Sequence, residues 1–274
     1  MDVEGRSIIV TGSSTGIGRA IAVALARAGA RVVCAARNES KLRDTVSQIE
    51  KDGGDAIAVP TDVTDSKQID QMIKETLTAF QKIDVLINNA GIYGAIGGLW
   101  EVDADTWWKD LTTNLQGPFL CCRAVLPSMM TQNEGVIINM SGGGSSFPFL
   151  GGSGYGCSKA ALMRLTDTLA DELTHAGHSI EVYGLSPGFV RTGISESVAA
   201  SEAGEKWLPQ FKEWLDKGED HPAEDVGEVV IKLLGISCPA LSGRIFSHRD
   251  DYDELARRAD EIVEKDLYQI RKRL

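Results

Sequence analysis

Short apolar runs alternate along this chain with longer segments in which apolar residues recur every three or four positions. The runs Ser7–Val10, Arg31–Ala35, Ala56–Pro60, Val85–Asn88, Val136–Met140 and Ile180–Leu185, with a further one near Arg244–Phe246, are too short for helices and predict strands. Most are apolar at successive positions, the pattern of strands buried on both faces. The periodic segments predict helices near 17–28, 39–51, 66–80, 104–130, 157–175 and 223–234. This alternation implies right-handed βαβ crossovers, and so an α/β, doubly wound, mostly parallel seven-stranded sheet with helices on both faces. No linker, repeat or low-complexity stretch interrupts it, so residues 1–274 are expected to form one domain.

Between the first strand and the first helix lies Thr11-Gly12-Ser13-Ser14-Thr15-Gly16-Ile17-Gly18. Gly12 admits a positive φ for a tight turn, Gly16 lets backbone N–H groups approach phosphate oxygens, and Gly18 lets the helix lie close to the strand. Such a turn is also met as a purely structural feature, so its surroundings decide. Ligands of open α/β sheets bind beyond the carboxyl ends of the strands. Arg37, Asp62, Asn88-Asn89-Ala90-Gly91, Ser141 and Pro187-Gly188 all fall at that edge.

Tyr155 and Lys159 are four apart on a predicted helix and so share a face. An ammonium a few Å from a phenol favours the phenolate, making tyrosine a usable proton donor or acceptor. A net charge of −11 argues against nucleic acid and anionic membrane surfaces as partners. Five cysteines without a C-x-x-C pair fit a reducing, cytoplasmic setting and predict neither a disulfide framework nor a metal site. The start Met1-Asp2-Val3-Glu4-Gly5 lacks a signal-peptide pattern, and no apolar run reaches membrane-spanning length.

With these residues in view, the chain resembles the short-chain dehydrogenase/reductase family in its compact single-domain form. The resemblance runs from about residue 5 to 247 through TGSSTGIG, Asp62-Val63, Asn88-Asn89-Ala90-Gly91, Asn114, Asn139-Met140-Ser141, Tyr155-x-x-x-Lys159 and Pro187-Gly188-x-x-x-Thr192. It implies a Rossmann fold and NAD(P)-dependent hydride transfer between an alcohol and a carbonyl. Carried over, Tyr155 is the acid/base, Lys159 holds the nicotinamide ribose, a serine polarises the carbonyl, and Asn114 holds a water in a proton relay. The implied cofactor contacts are Gly12, Ser14, Thr15, Gly16, Ile17, Gly18, Arg37, Asp62, Val63, Asn89, Ala90, Gly91, Tyr155, Lys159, Pro187, Gly188, Val190 and Thr192. Pro118 lies inside the predicted 104–130 helix and has no N–H, which frees the Asn114 carbonyl to accept from that water.

Two departures matter. The family serine, thirteen residues before the tyrosine, is Gly142 here, so Ser141 is expected to serve, with Ser145 as substitute. A charged helical extension at about 250–272, with Leu255, Ala259, Ile262 and Leu267, replaces the short family ending and is expected over its own sheet or against a neighbouring subunit. The carboxylate that ends strand two in NAD-preferring members is absent: Ala36 is followed by Arg37, suited to a 2′-phosphate, so NADP(H) is expected, with NAD(H) as the alternative. The segment at about 193–221, with Ile194, Val198, Trp207, Leu208, Phe211, Trp214 and Leu215, is expected to form a substrate lid. Tyr93, Phe147, Phe149 and Phe189 would line a pocket for a hydrophobic ketone or secondary alcohol, with Arg191 near enough for a carboxylate-bearing one. Leu162, Leu165, Leu169 and Leu173 form an apolar stripe. The resemblance implies that this helix and that at 104–130 pair subunits into a homodimer or homotetramer. A catalytically weak nucleotide sensor or scaffold is the alternative function. A sugar-nucleotide epimerase would need a larger substrate domain.

Overall fold

The computed structural model describes residues 2–236 and 238–270. Seven strands form one sheet: β1 (Ser7–Thr11), β2 (Arg31–Ala36), β3 (Asp55–Pro60), β4 (Val85–Asn88), β5 (Gly135–Met140), β6 (Ile180–Ser186) and β7 (Ile245–Ser247). Their order is β3-β2-β1-β4-β5-β6-β7, and every pairing is parallel. The chain runs outward from β1 to one edge and returns through β4 to the other, so the strand order reverses between β1 and β4. A crevice opens there beyond the carboxyl ends. Parallel pairing requires crossovers that cover both faces, which is why β1, β4 and β5 are buried along their whole length.

The helices are α1 (Gly16–Arg27), α2 (Glu39–Lys51), α3 (Ser66–Phe80), α4 (Ala104–Leu111), α5 (Gly117–Gln132), α6 (Ser153–His175), α7 (Gly193–Ala199), α8 (Glu202–Trp207), α9 (Pro209–Lys217), α10 (Ala223–Ile236), α11 (Tyr252–Arg257) and α12 (Ala259–Glu264). One core on each side of the sheet results. Ile8, Val10, Ile21, Leu25, Val230 and Leu233 meet on one side, and Ile9, Met72, Leu86, Val125 and Ile137 on the other. No described helix is long and apolar enough to cross a membrane.

The structure corrects the expected helix at 104–130. It is two helices joined without a break by a π-helical turn, Thr112–Gln116, which leads into Pro118 in the first turn of α5. The leucine stripe of α6 is mostly internal: Leu162, Leu169 and Leu173 are buried within the chain. The extension is two short helices and packs on its own chain. Leu255 and Ile262 join the core, Arg244 pairs with Asp266 at 3.0 Å, and Ile245 N donates to Tyr268 O. Residues 271 and 272 of the expected extension lie outside the described residues.

Candidate active site

Side-chain bonds lock the strand ends that meet at the crevice. Thr11 Oγ1 accepts from Asn89 N and Ala90 N, and Asn89 Nδ2 donates to Thr11 O, tying the end of β1 to the end of β4. Gly12 and Gly18 are needed for that closeness. A Cβ on Gly12 would lie 2.8 Å from Ala90 Cα, and one on Gly18 would overlap both Asn89 Nδ2 and the Gly12 carbonyl. Gly12 and Gly16 both have positive φ. A second series of bonds sets α6 against the sheet: Asn88 Nδ2 to Asn139 Oδ1, Asn139 Nδ2 to Thr166 Oγ1, and Thr166 Oγ1 to Leu162 O.

A cavity of about 1010 Å³ fills the crevice. Of the expected contacts, Gly12, Ser14, Thr15, Gly16, Ile17, Gly18, Arg37, Asp62, Val63, Asn89, Ala90, Gly91, Ser141, Tyr155, Lys159, Pro187 and Thr192 line it. Its shape and chemistry fit a dinucleotide. Thr15 gives the N-terminus of α1 no side-chain cap and its first turn holds no acid, so amides are left for phosphate oxygens. Arg37 is exposed at the far end and has no ion-pair partner among the described residues.

Other expected residues lie elsewhere. Gly188 and Val190 do not line the cavity: Gly188 has φ 77° and His248 fills the space a side chain there would need, and Val190 is buried in a bridge to His221. Ser145 also stands outside it, and Phe147 is exposed. Tyr93, Phe149 and Phe189 instead cluster with Val198, Leu208, Phe211, Trp207 and Trp214, forming an apolar mass against Tyr155. Leu215 is half-buried and contributes its carbonyl to Arg191, while Ile194 lines the cavity. Arg191 is committed to Asp220 at 3.0 Å and to that carbonyl, which takes it away from any substrate carboxylate.

Tyr155 and Lys159 project together from α6. Lys159 is buried, its Nζ donates to Met140 O at 2.8 Å and stands 5.7 Å from the Tyr155 ring centre. The Tyr155 hydroxyl lies where a side chain on residue 142 would go, so glycine there gives the phenol its room. Ser141 is buried with its Oγ unpartnered. Asn114 is fully buried, and its side chain is already engaged: Oδ1 accepts from Ile92 N at 2.8 Å, and Nδ2 donates to Ile92 O and Ser158 Oγ. The electrostatics differ from the sequence expectation. Burial pushes the Tyr155 phenol up to about 12, with Asp110 adding to the rise, and pushes the Lys159 ammonium down to about 8. Desolvation is the largest cause at both groups.

Sequence reasoning passed over Asn38, Lys109, Thr112 and Thr113 on the cavity wall, and the fully buried Asp110. The i, i+4 spacing from Asp110 to Asn114 was the available signal, because it places two hydrogen-bonding side chains on one helix face.

The family model for short chain dehydrogenases matches residues 6–203. The chain is 31% identical over 264 residues to a short chain dehydrogenase of Pseudocercospora fijiensis, covering 94% of this chain and 84% of that one. It is 39% identical over 193 residues to a 3-oxoacyl-[acyl-carrier-protein] reductase of Synechocystis, covering 70% and 77%. A variant of actinorhodin polyketide ketoreductase with NADPH superposes with a TM-score of 0.79 at 28% identity, over 88% of this chain and 95% of that one.

Proposed function

This chain belongs to the short-chain dehydrogenase/reductase family of NAD(P)-dependent oxidoreductases, and from that premise we propose that it interconverts a hydrophobic ketone and the matching secondary alcohol with NADP(H). The observation that carries this reading is the paired Tyr155 and Lys159 on the wall of a dinucleotide-sized cavity, beside an apolar aromatic cluster. NADP(H), when bound, supplies or receives the hydride at the carbonyl carbon.

The chain's own groups handle the proton. In reduction the Tyr155 hydroxyl gives its proton to the carbonyl oxygen, and in oxidation the phenolate takes it back. Ser141 Oγ, the unpartnered hydroxyl on the cavity wall, is the donor to the substrate oxygen in this reading. Lys159 would hold the ribose of the cofactor, and the Asn114 carbonyl would hold a water that links Lys159 to solvent. The 193–221 segment is the substrate lid in this reading, supported by Val198, Leu208, Phe211 and Trp214 packing in one cluster with Tyr93 and Phe149, whose rings lie against Tyr155. Hydrophobic ketones should therefore show the highest kcat/KM in a steady-state panel. Top rates on small acidic or polyhydroxylated substrates would contradict the pocket reading.

The preference for NADP(H) rests on Arg37. Arg37→Ala is expected to raise KM for NADPH about tenfold or more, the loss of one charge-assisted phosphate contact, and to leave KM for NADH nearly unchanged. Equal effects on both would show that the guanidinium does not meet the 2′-phosphate.

The chain is further proposed to act in the cytoplasm as a homodimer or homotetramer through α4, α5 and α6. Trp108, Phe119 and Met130 on α4 and α5 are large apolar side chains left exposed. Light scattering at micromolar concentration should return a multiple of the monomer mass. A monomer alone would refute the assembly.

A further inference from the structure

Asp110 is fully buried in α4, and no Lys, Arg or His nitrogen stands within ion-pair distance of it among the described residues. Its carboxylate is instead spent on backbone. Oδ1 accepts from Gly94 N at 2.8 Å and Oδ2 from Ala95 N at 3.1 Å. Four residues on, the Asn114 side chain grips both backbone groups of Ile92. Tyr93 is thus held between one grip from α4 and one from the π turn that follows it. Its ring stacks on that of Tyr155, with centres 4.7 Å apart and planes 27° apart, and its hydroxyl is buried without a partner. The same carboxylate abuts α6: a Cβ on Gly154, the residue before Tyr155, would lie 3.1 Å from Oδ2. An anion is favoured at that helix N-terminus.

We propose that Asp110 is a positioning residue for the reaction: it holds Tyr93 flat against the Tyr155 ring, and its charge sets the site for giving a proton to a carbonyl rather than taking one from an alcohol. The inference rests on the reading of Tyr155 as the acid/base. The ionisable groups facing the Tyr155 ring are Asp110 from α4, Tyr93 from the segment after β4, and Lys159 from α6 itself. Burial raises the pKa values of both tyrosines, and Asp110 raises them further. The sign follows from charge: beside an existing anion, forming a second one is harder, so a phenol near Asp110 keeps its proton to higher pH. Burial also raises the carboxyl of Asp110, while its two amide donors favour the anion.

Asp110→Asn removes the charge at nearly constant volume and leaves an NH2 facing one of the two amides. In the full-length enzyme, NMR of isotope-labelled tyrosine Cζ, with the Tyr155 signal identified by its loss in Tyr155→Phe, should show the Tyr155 midpoint lower by about one unit in Asp110→Asn. The pH limb of alcohol oxidation, normalised to each variant's plateau, should move the same way. Below the limb this is an about tenfold gain in relative oxidation rate. Asp110→Glu keeps the charge and should keep the limb while raising KM through a displaced Tyr93. If the asparagine variant does not fold, Asp110→Ser makes the same charge change with a smaller side chain. An unmoved midpoint and limb in a folded neutral variant would overturn the proposal, as would a limb that moves equally in Asp110→Glu. Full turnover by Tyr155→Phe would overturn the acid/base reading instead, and the NMR titration would still report the coupling of Asp110 to Tyr155.

Discussion

Replacing Tyr155 by phenylalanine is expected to lower kcat by about 10³-fold, within the range that positioned acid–base groups contribute, and to leave NADPH binding nearly intact. The change deletes one oxygen. The ring remains, and with it the stack on Tyr93 and the space beside Gly142. Lys159 keeps its bond to Met140 O, so the cavity wall is preserved. What is lost is the phenol that would hand a proton to a substrate oxygen through a wide pH range. Its phenol is pushed up to about 12 by burial, so reduction should not lose the tyrosine proton at neutral pH. Stopped-flow and steady-state rates with intrinsic-fluorescence binding of NADPH separate the two effects. Retention of more than a few per cent of kcat would sink the assignment.

Gly18→Ala should be nearly as damaging by a different route. In an ordinary helix this substitution stabilises by about 0.5–1 kcal/mol, because alanine loses less backbone entropy. Here the added methyl would overlap the Gly12 carbonyl and Asn89 Nδ2, and backbone cannot swing aside as a side-chain tip can. Moving α1 off the sheet would break the ties from Asn89 to Thr11 and displace the uncapped helix N-terminus on the cavity wall. Overpacking costs of about 1–3 kcal/mol exceed the propensity gain, so a lower Tm and an NADPH affinity weakened about tenfold or more are expected. Gly235→Ala is the control: it lies in α10 with open space around it, and the same substitution should hold or raise Tm. A Gly18→Ala protein as stable and as tight-binding as wild type would show that helix α1 does not need this approach.

The sheet was legible because its central strands are buried on both faces, so β1, β4 and β5 read as unbroken apolar runs. The crevice was legible for a related reason: a doubly wound sheet brings its loops to one edge in a known order, so Gly12, Asp62, Asn89 and Tyr155 could be assembled before any coordinates. What escaped depends on contacts between segments distant in sequence. Pro118 reads the same in a kinked helix as in the first turn of a new one, and only the π turn decides. Pro187-Gly188 has the look of a ligand turn, and Pro187 does line the cavity, but that Gly188 also packs against His248 is visible only in the fold. Asp110 lies in a segment whose neighbours Lys109 and Asp105 are polar, so it passes for a solvated side chain until the path of residues 92–95 across it is known. The aromatic residues were expected along a pocket wall. In the structure they pack mainly on one another, which turns six separate aromatic side chains into one apolar face beside Tyr155.

The central claim is hydride transfer from NADPH to a ketone at the site of Tyr155. It is tested most directly by supplying NADPH deuterated at the reactive nicotinamide carbon together with a hydrophobic aryl ketone, and analysing the alcohol by mass spectrometry and NMR. The account predicts one deuterium on the carbinol carbon for each cofactor oxidised, on a single face, and labelled alcohol formed about 10³-fold more slowly with Tyr155→Phe. NADPH that binds tightly while no carbonyl is reduced across the panel, or an alcohol formed without the label, would contradict it and leave a nucleotide-binding sensor as the better description.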